Sequence, residues 1–232
     1  MQREITRHNH KASRDEYIIE RCKGKNVLHI GACDCPYTEE KFHDGTLLYA
    51  KLDAVVKEQI GIDLDASSAT FLESQEFSRS RIVVADMNRA QDIGFRPDVI
   101  VFGETLEHLT NPGIALDSIK KLMEKDTELI VSVPNALCFA NVIGALLGKE
   151  YQHPDHKIAC TYKTVQQLLE HAGFSVHHTY FTWLPQGTGT LRWRGAVIAR
   201  MGRIISYLFP QYAGTILMTA GLPSSKEAIK AR

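Results

Sequence analysis

One stretch of the sequence reads Val99-Ile-Val-Phe-Gly-Glu-Thr-Leu-Glu-His-Leu109. Its apolar first half has the length and composition of a buried strand in a parallel sheet. Core packing gives no reason for the two carboxylates and the imidazole that follow, Glu104, Glu107 and His108. Their position directly after the strand predicts a working site at the carboxyl end of a sheet.

Strand and helix patterns alternate on both sides of this stretch. Short runs rich in Val, Ile and Leu predict seven strands, over Asn26–Ile30, Gln59–Ile62, Arg81–Ala85, Asp98–Phe102, Glu128–Val133, Ser175–Thr182 and Gly214–Ala220. Asn111 before Pro112 is a typical start of a helix, and Thr161 caps a second helix that ends at Gly173. The alternation predicts an α/β fold, in which helices cover both faces of a parallel sheet.

Composition is that of an ordinary globular chain, with 44% hydrophobic and 23% charged residues in 232. We predict a single domain over residues 1–232, with an N-terminal helical segment over 1–25 and substrate-side insertions over 136–160 and 183–211. No apolar run approaches the roughly 20 residues that cross a bilayer, and the polar start lacks the apolar core of a signal peptide. These features predict a cytoplasmic protein, and the five cysteines, without paired CxxC spacing, predict reduced thiols.

Charge is unevenly distributed although the net charge is zero. Residues 171–232 hold seven basic residues and one acidic residue, a charge of +6, and the first 170 residues carry −6. Nucleic acid is disfavoured as a partner, because few aromatic side chains accompany the basic residues and the acidic remainder would repel phosphates.

The basic segment 192–209 has a helical apolar stripe. The stripe consists of Trp193, Val197, Ile198, Met201, Ile204, Ile205 and Leu208, and the remaining face carries Arg192, Arg194, Arg200 and Arg203. One interpretation is a lid helix that packs on the sheet edge. The other is contact with an anionic surface, which would be a lipid-linked glycan, the diphosphate of a nucleotide-sugar, or a membrane whose inner face the protein contacts peripherally.

Three successive strand ends offer the parts of a nucleoside site. Gly31 follows the first strand, where a glycine lets the backbone bend close to a ligand. Asp63 ends the second strand and can accept hydrogen bonds from both hydroxyls of a ribose, while Asp86 and Met87 after the third can meet the edge and face of an adenine. A nicotinamide dinucleotide is disfavoured, because the G-x-G-x-x-G fingerprint is replaced by Gly31-Ala-Cys-Asp-Cys-Pro36.

These segments give the chain a family resemblance. The matching pieces are Val27-Leu-His-Ile-Gly31, Ile60-Gly-Ile-Asp63, Ala85-Asp86, Asp98 to Leu109, and Val131-Ser-Val-Pro-Asn135. Together they resemble the class I S-adenosylmethionine-dependent methyltransferases. His153-Pro-Asp-His156 with the following segment Thr161 to Phe174 is similar to a small bacterial branch that modifies sugars, surface glycans and secondary metabolites.

The resemblance implies a Rossmann-like, doubly wound seven-stranded sheet with an antiparallel last strand, and S-adenosyl-L-methionine as cofactor. The residues it assigns to the cofactor are Gly31, Ala32, Cys33, Asp63, Leu64, Asp86, Met87, Gly103 and Glu104. The sequence departs from the usual G-x-G-x-G of the family, because Cys33 and Cys35 replace its second and third glycines.

The resemblance further implies methyl transfer to a small-molecule or glycan acceptor, and a hydroxyl oxygen is the favoured target. A hydroxyl acceptor must lose a proton, so we select His156 and His108 as candidate catalytic bases. We assign no metal ligand, although Glu104-x-x-Glu107-His108 on one helical face is also similar to the string of metal-dependent small-RNA 2′-O-methyltransferases and quinone-pathway O-methyltransferases. A metal-assisted RNA 2′-O-methyltransferase and a non-catalytic cofactor-binding module remain as alternatives.

Overall fold

A computed structural model describes residues 13–87, 93–182 and 193–223, with residues 193–199 described by their backbone only. The described chain contains the seven strands expected from the sequence. They are β1 (Asn26–Ile30), β2 (Glu58–Asp63), β3 (Ser80–Val84), β4 (Val99–Gly103), β5 (Glu128–Pro134), β6 (Ser175–Thr182) and β7 (Thr215–Gly221). The predicted bounds differ from these by one residue at most, which is the usual uncertainty at the ends of strands read from a pattern.

All seven strands form one sheet in the order β3-β2-β1-β4-β5-β7-β6. The first five strands pair in parallel, and β7 lies antiparallel between β5 and β6. The order reverses at β1, where the chain moves from the β2 side to the β4 side. Because ligands bind outside the carboxyl ends of strands at such a point, the topology places a crevice beside the ends of β1 and β4.

Helices connect the strands and cover the sheet. They are α1 (Arg14–Cys22), α2 (Thr38–His43), α3 (Leu48–Asp53), α4 (Ala66–Glu73), α5 (Pro112–Leu122), α6 (Phe139–Leu146), α7 (Tyr162–His171) and α8 (Trp193–Leu208). Asn111 and Thr161 cap α5 and α7 as predicted, each accepting a hydrogen bond from a backbone N–H of the first turn. The caps fix where the helices begin, and therefore where the loops over the carboxyl edge end.

The sheet is the core of the molecule. Every residue of β4 and of β7 is buried, and aliphatic side chains from both faces of the sheet pack under the helices. The apolar runs recognised in the sequence therefore serve as central strands with both faces covered. All five cysteines are free. Within the described ranges, no helix is long and apolar enough to cross a bilayer.

The long helix α8 does not pack as its sequence pattern suggests. Its small residues Gly202 and Ser206 are buried, whereas Met201, Ile204 and Leu208 of the predicted stripe are exposed. For these three positions the interpretation of a helix packed through its apolar stripe is wrong, because in the part of α8 whose side chains are described the buried residues are the small ones, Gly202 and Ser206. The remaining stripe and basic positions with undescribed side chains are Arg192, Trp193, Arg194, Val197 and Ile198.

Candidate active site

The turn after β1 is tight and is built around Gly31. Its φ of 72° lies in the left-handed region that favours glycine. The N–H groups of Gly31 and Ala32 donate to the carbonyl oxygen of Ile62 on β2, at 2.9 and 3.3 Å. A Cβ at position 31 would overlap the hydroxyl of Thr105, which follows β4. The turn is therefore fixed between the ends of β2 and β4, and a larger side chain would displace it.

Asp63 ends β2 with its carboxylate already bonded to the backbone. Oδ2 accepts from the N–H of Cys33 at 2.9 Å, and Oδ1 accepts from the N–H of Asp65 at 3.1 Å. An ionised carboxylate has about four lone-pair sites, so two acceptor positions remain for a ligand. The arrangement joins the turn of β1 to the acid of β2 and fits the predicted role in holding two adjacent hydroxyls.

The predicted base-binding residues lie at the neighbouring strand end. The N–H of Ala85 donates to the carbonyl of Asp63 at 3.0 Å, which brings the exit of β3 beside that of β2. Met87 is buried and Asp86 is exposed, while the Leu64 side chain is 72% exposed. An acid and apolar surface thus stand next to Asp63, as a purine site requires, although their contact with a ligand stays a prediction.

Gly103 ends β4 beneath an arginine that sequence reasoning missed. A Cβ at Gly103 would overlap the guanidinium of Arg14 on α1. Arg14 is largely buried, donates from Nε to the hydroxyl of Ser132 at 2.8 Å, and lies 3.8 Å from Oε1 of Glu104. Nothing in the sequence around Arg14 marks it, because only the packing of α1 on the ends of β4 and β5 brings it there. A cation therefore stands beside the predicted cofactor residues Gly103 and Glu104.

Glu104 has a backbone φ of 49°, and only Leu106–His108 form a short 3-10 turn after it. The expectation that Glu104, Glu107 and His108 lie on one helical face is therefore wrong. Burial raises the pKa of Glu104, and the nearby Arg14 opposes this increase. Glu104 instead points toward Arg14, so the two glutamates of the string have different surroundings.

Glu107 is a buried carboxyl group without a hydrogen-bond partner. Its residue exposure is 1%, and neither carboxylate oxygen is bonded within the described chain. Burial, and after it the charge of Glu104, raise the pKa of Glu107 to about 8. Burying a carboxyl group without a hydrogen-bond partner lowers the stability of the folded protein. Buried ionisable groups with shifted pKa values are concentrated at functional sites.

Two backbone hydrogen bonds bring the segment 136–160 to Glu107. The N–H groups of Lys157 and Ile158 donate to the carbonyl oxygen of Glu107, at 2.7 and 3.2 Å. His156 therefore stands next to His108, with ring centroids 4.8 Å apart, and the ring of His153 lies 5.2 Å from that of His156. The two histidines selected from the sequence, His108 and His156, come together although 48 positions separate them.

The three histidines differ in burial. His108 and His153 are exposed, while His156 is partly buried. Burial, followed by the neighbouring rings of His108 and His153, lowers the pKa of His156. His156 is therefore neutral near pH 7 and has a ring nitrogen available to accept a proton.

The same cluster has the geometry of a possible cation site. One ligand atom each from Glu107, His108 and His156 can be chosen so that all three lie within 4.8 Å of one another. Imidazole nitrogens with a carboxylate oxygen are typical ligands of zinc and of first-row transition metals. The three side chains therefore fit a divalent cation, while Glu104 is directed to Arg14.

A cavity of about 590 Å³ opens beside this cluster. Glu107, His153 and His156 line one part of it, and Ala145, Lys149 and other residues of 134–160 line the rest. The side-chain amide of Asn135 donates to the carbonyls of Gln211 and Ala213, which ties the start of this segment to the chain before β7. The cavity has the volume of a small-molecule site, and its wall is the insertion 136–160 predicted to face the substrate.

Comparisons with known proteins agree with this geometry. A sequence model of the family described as "Methyltransferase domain" matches residues 23–179. No curated protein matches the sequence.

Solved structures show the same fold at low identity. An S-adenosylmethionine-dependent methyltransferase from Archaeoglobus fulgidus is 18% identical, with 89% of this chain and 94% of that chain covered and a TM-score of 0.53. A putative methyltransferase from Bacillus halodurans is 14% identical over 92% and 100% of the two chains, with a TM-score of 0.57. Magnesium protoporphyrin IX methyltransferase from Synechocystis, solved with bound S-adenosylhomocysteine, is 13% identical over 90% and 82%, with a TM-score of 0.56.

The family match covers most of the chain and includes the strand ends described above. The predicted fold, with its antiparallel last strand, and the predicted cofactor are thereby confirmed. The chain belongs to the class I S-adenosylmethionine-dependent methyltransferases, and S-adenosylmethionine is its cofactor.

Proposed function

We propose that this methyltransferase acts on a hydroxyl oxygen of a small-molecule or glycan acceptor. The observation that carries the proposal is the position of His156, a partly buried neutral histidine on the wall of the cavity beside Glu107. A hydroxyl is a weak nucleophile until its proton is removed, whereas an amine needs no base of this kind once it is neutral. A neutral imidazole on the cavity wall suits the hydroxyl.

The chain's own residues fit the cofactor at the neighbouring strand ends. Gly31 leaves room for close backbone approach, Asp63 retains two acceptor positions, and Arg14 offers a cation for the cofactor's carboxylate. When bound, S-adenosylmethionine supplies an activated methyl group on a sulfonium. The residues Ala32, Cys33, Leu64, Asp86, Met87, Gly103 and Glu104 complete the proposed cofactor set.

His156 is proposed to take the proton that the acceptor hydroxyl loses. His108 lies against His156 and is the second candidate base. Because its side chain is more exposed to solvent, it is the less favoured of the two. The walls formed by 134–160 are proposed to hold the acceptor in line with the methyl group, which is the larger part of catalysis for a displacement of this type.

The proposal is tested with an extract of small molecules and glycans incubated with methyl-labelled S-adenosylmethionine. We expect one labelled compound whose new methyl group is an ether, identified by mass spectrometry. The variant His156→Asn, with cofactor binding verified by calorimetry, should not form it. A product labelled on nitrogen or carbon, or full activity of His156→Asn, would contradict the proposal.

A cation-assisted form of the reaction is the second candidate, and the unpartnered carboxylate of Glu107 beside His108 and His156 favours it. A cation held by these three side chains would polarise the acceptor hydroxyl and lower its pKa, so that water could take the proton in place of a side-chain base. RNA 2′-O-methylation is the example of this form predicted from the sequence. Loss of turnover with a chelator, restored by one divalent metal, separates this candidate from the first, and RNA-dependent turnover identifies the RNA acceptor.

The family match makes the chain a methyltransferase, so the alternative of a non-catalytic module is not carried further. The acceptor proposal includes an anionic or lipid-linked glycan. A cytoplasmic location, a single domain over 1–232, and peripheral membrane contact through 192–209 stay proposals beside it.

A further inference from the structure

The exposed apolar side chains of the described residues are concentrated in two segments. Thirteen large apolar residues are exposed, and eight of them belong to 146–151 or 201–209. These eight are Leu146, Leu147, Tyr151, Met201, Ile204, Tyr207, Leu208 and Phe209. We call this set the α6–α8 face, since α6 and α8 pack against each other. Exposed apolar groups concentrated in this way indicate an interaction surface rather than scattered surface residues.

The leucine side chains at the end of α6 are strongly exposed. Leu146 is 78% exposed and Leu147 is 69% exposed, at the end of α6. In the part of α8 whose side chains the structure describes, Gly202 and Ser206 are buried, whereas Met201, Ile204, Tyr207 and Leu208 are exposed. This is the reverse of an ordinary surface helix, whose large apolar side chains face the core.

The charges of this face are mainly basic. Residues 135–151 and 193–215 contain the four basic residues Lys149, Arg194, Arg200 and Arg203 and one acidic residue, Glu150. Lys149, Arg200 and Arg203 are exposed. Apolar side chains rimmed by cations match the boundary between headgroups and acyl chains of an anionic bilayer. A second copy of this chain would bring one mainly basic surface against another, which disfavours self-association through the face.

The face adjoins the mouth of the cavity. Ala145, Gly148, Lys149 and Tyr151 line the cavity, and Leu146 and Leu147 lie between them in the sequence. The ring of Tyr151 packs closely on Gly144 of α6, which joins the cavity wall to the helix that carries the leucines. A protein docked by this face would present its cavity toward the docking surface.

We propose that the α6–α8 face docks on an anionic lipid surface and that the acceptor is an amphiphile carried in that surface. The acceptor part rests on the function proposed above, whereas docking does not. The leucines and tyrosines of the face enter the boundary between the headgroups and the acyl chains. Lys149 and Arg200 contact the phosphates of the lipid headgroups. The polar end of the acceptor then enters the cavity toward His156 while its apolar end stays in the lipid.

Docking is tested by sedimentation of the full chain with vesicles of phosphatidylcholine, with and without phosphatidylglycerol. We expect binding to the anionic vesicles and little binding to phosphatidylcholine alone. Leu146→Glu and Leu208→Glu should each weaken partition onto the vesicles at least about tenfold. Each change replaces a leucine that would enter the lipid with a charge that the anionic lipid repels. Arg200→Gln should weaken it roughly fivefold.

Ile114→Glu is the matched control, since Ile114 is 54% exposed on α5, outside the face. It should bind vesicles as the unmodified chain does, and circular dichroism should show every variant folded. Absence of binding to anionic vesicles, or equal binding by Leu146→Glu, would overturn docking. A dimer that Leu146→Glu dissociates, without vesicle binding, would assign the face to a second copy instead.

The acceptor part has its own readout. Labelled lipid extracts and labelled aqueous extracts, each incubated with the enzyme and S-adenosylmethionine, should show the methylated product in the lipid fraction. A product in the aqueous fraction alone would overturn the amphiphilic acceptor and leave the hydroxyl methyltransferase intact. No product in either fraction, with vesicle binding retained, would instead contradict the proposed function.

Discussion

The two halves of the active-site edge are built differently. The cofactor half, at the ends of β1, β2 and β3, is held by hydrogen bonds between residues close to the strands, such as those from Cys33 to Asp63 and from Gly31 to Ile62. The acceptor half is made by segment 136–160, which joins the sheet through the carbonyl of Glu107 and the amide of Asn135. A fixed cofactor half suits one shared ligand, and a half built from an insertion can vary with the acceptor.

Two buried ionisable groups, one from each half, respond to pH in opposite directions. His29 on β1 is buried against Tyr49, and burial lowers its pKa to about 3. Glu107 in the acceptor half has its pKa raised to about 8. The contribution of His29 to stability is therefore lost in acid and that of Glu107 is lost in base, so the comparison can be tested by unfolding as well as by activity.

The largest expected effect is on turnover. His156→Asn should lower the rate of methyl transfer by about 100- to 10,000-fold, the range for loss of a general base, and leave the Kd for S-adenosylmethionine unchanged. The measurement is turnover of the labelled acceptor together with calorimetry. His153→Asn is the control, since this exposed neighbouring ring should change turnover far less. Equal losses in both variants would show that the cluster does not act through one base.

The next largest effect concerns Glu107→Gln. The folded carboxyl holds its proton up to a pKa of about 8, against an ordinary value of 4.5 in the unfolded chain. Stability is therefore full below pH 4.5 and is lost as the pH rises toward 8, by up to about 5 kcal/mol. The glutamine variant should be more stable than the unmodified chain at pH 8.5, measured by urea unfolding in the presence of a chelator.

Asp155→Asn, which changes an exposed acid in the same segment, should unfold as the unmodified chain does at both pH values. A stability of Glu107→Gln at or below that of the unmodified chain at pH 8.5 would show that the carboxylate has a partner in the folded protein. Recovery of the lost stability by an added divalent metal would support the cation-assisted candidate.

His29→Leu tests the predicted loss of stability in acid that arises from the cofactor half. Below pH 6.5 the unfolded chain takes up a proton at His29, while the folded chain remains neutral down to about pH 3. The unmodified protein should therefore lose up to about 5 kcal/mol as the pH falls across this window. His29→Leu should flatten that slope, and His177→Leu, at an exposed position, should keep it. Parallel slopes in all three proteins would contradict the prediction.

The smallest of these effects separates the cofactor half from the acceptor half. Asp63→Ala should raise the Kd for S-adenosylmethionine roughly 100-fold, about 3 kcal/mol, because two charge-assisted hydrogen bonds to the ribose are lost. Asp65→Ala removes the neighbouring cap of α4 and should leave the Kd unchanged, with a small loss of stability. An unchanged Kd in Asp63→Ala would contradict the assignment of Asp63 as the acceptor for the ribose hydroxyls.

The sequence alone determined the strands and most of the strand ends. Short aliphatic runs with turn residues after them are typical of strands, and parallel strands necessarily bring Gly31, Asp63 and Gly103 to one edge. The family could be recognised for the same reason, since its motifs lie directly at these strand ends. Local chemistry and spacing were sufficient there.

Only the tertiary structure decided what reaches that edge from elsewhere. Arg14 arrives through the packing of α1, and His156 arrives through hydrogen bonds to the carbonyl of Glu107. The periodicity of α8 predicted the helix but left open whether its apolar stripe packs inward, and the structure places Met201, Ile204 and Leu208 on the surface, because a hydrophobic pattern does not record which neighbour a helix meets. Such contacts join residues far apart in the chain, and their free energy depends on burial and partner geometry that no local pattern contains.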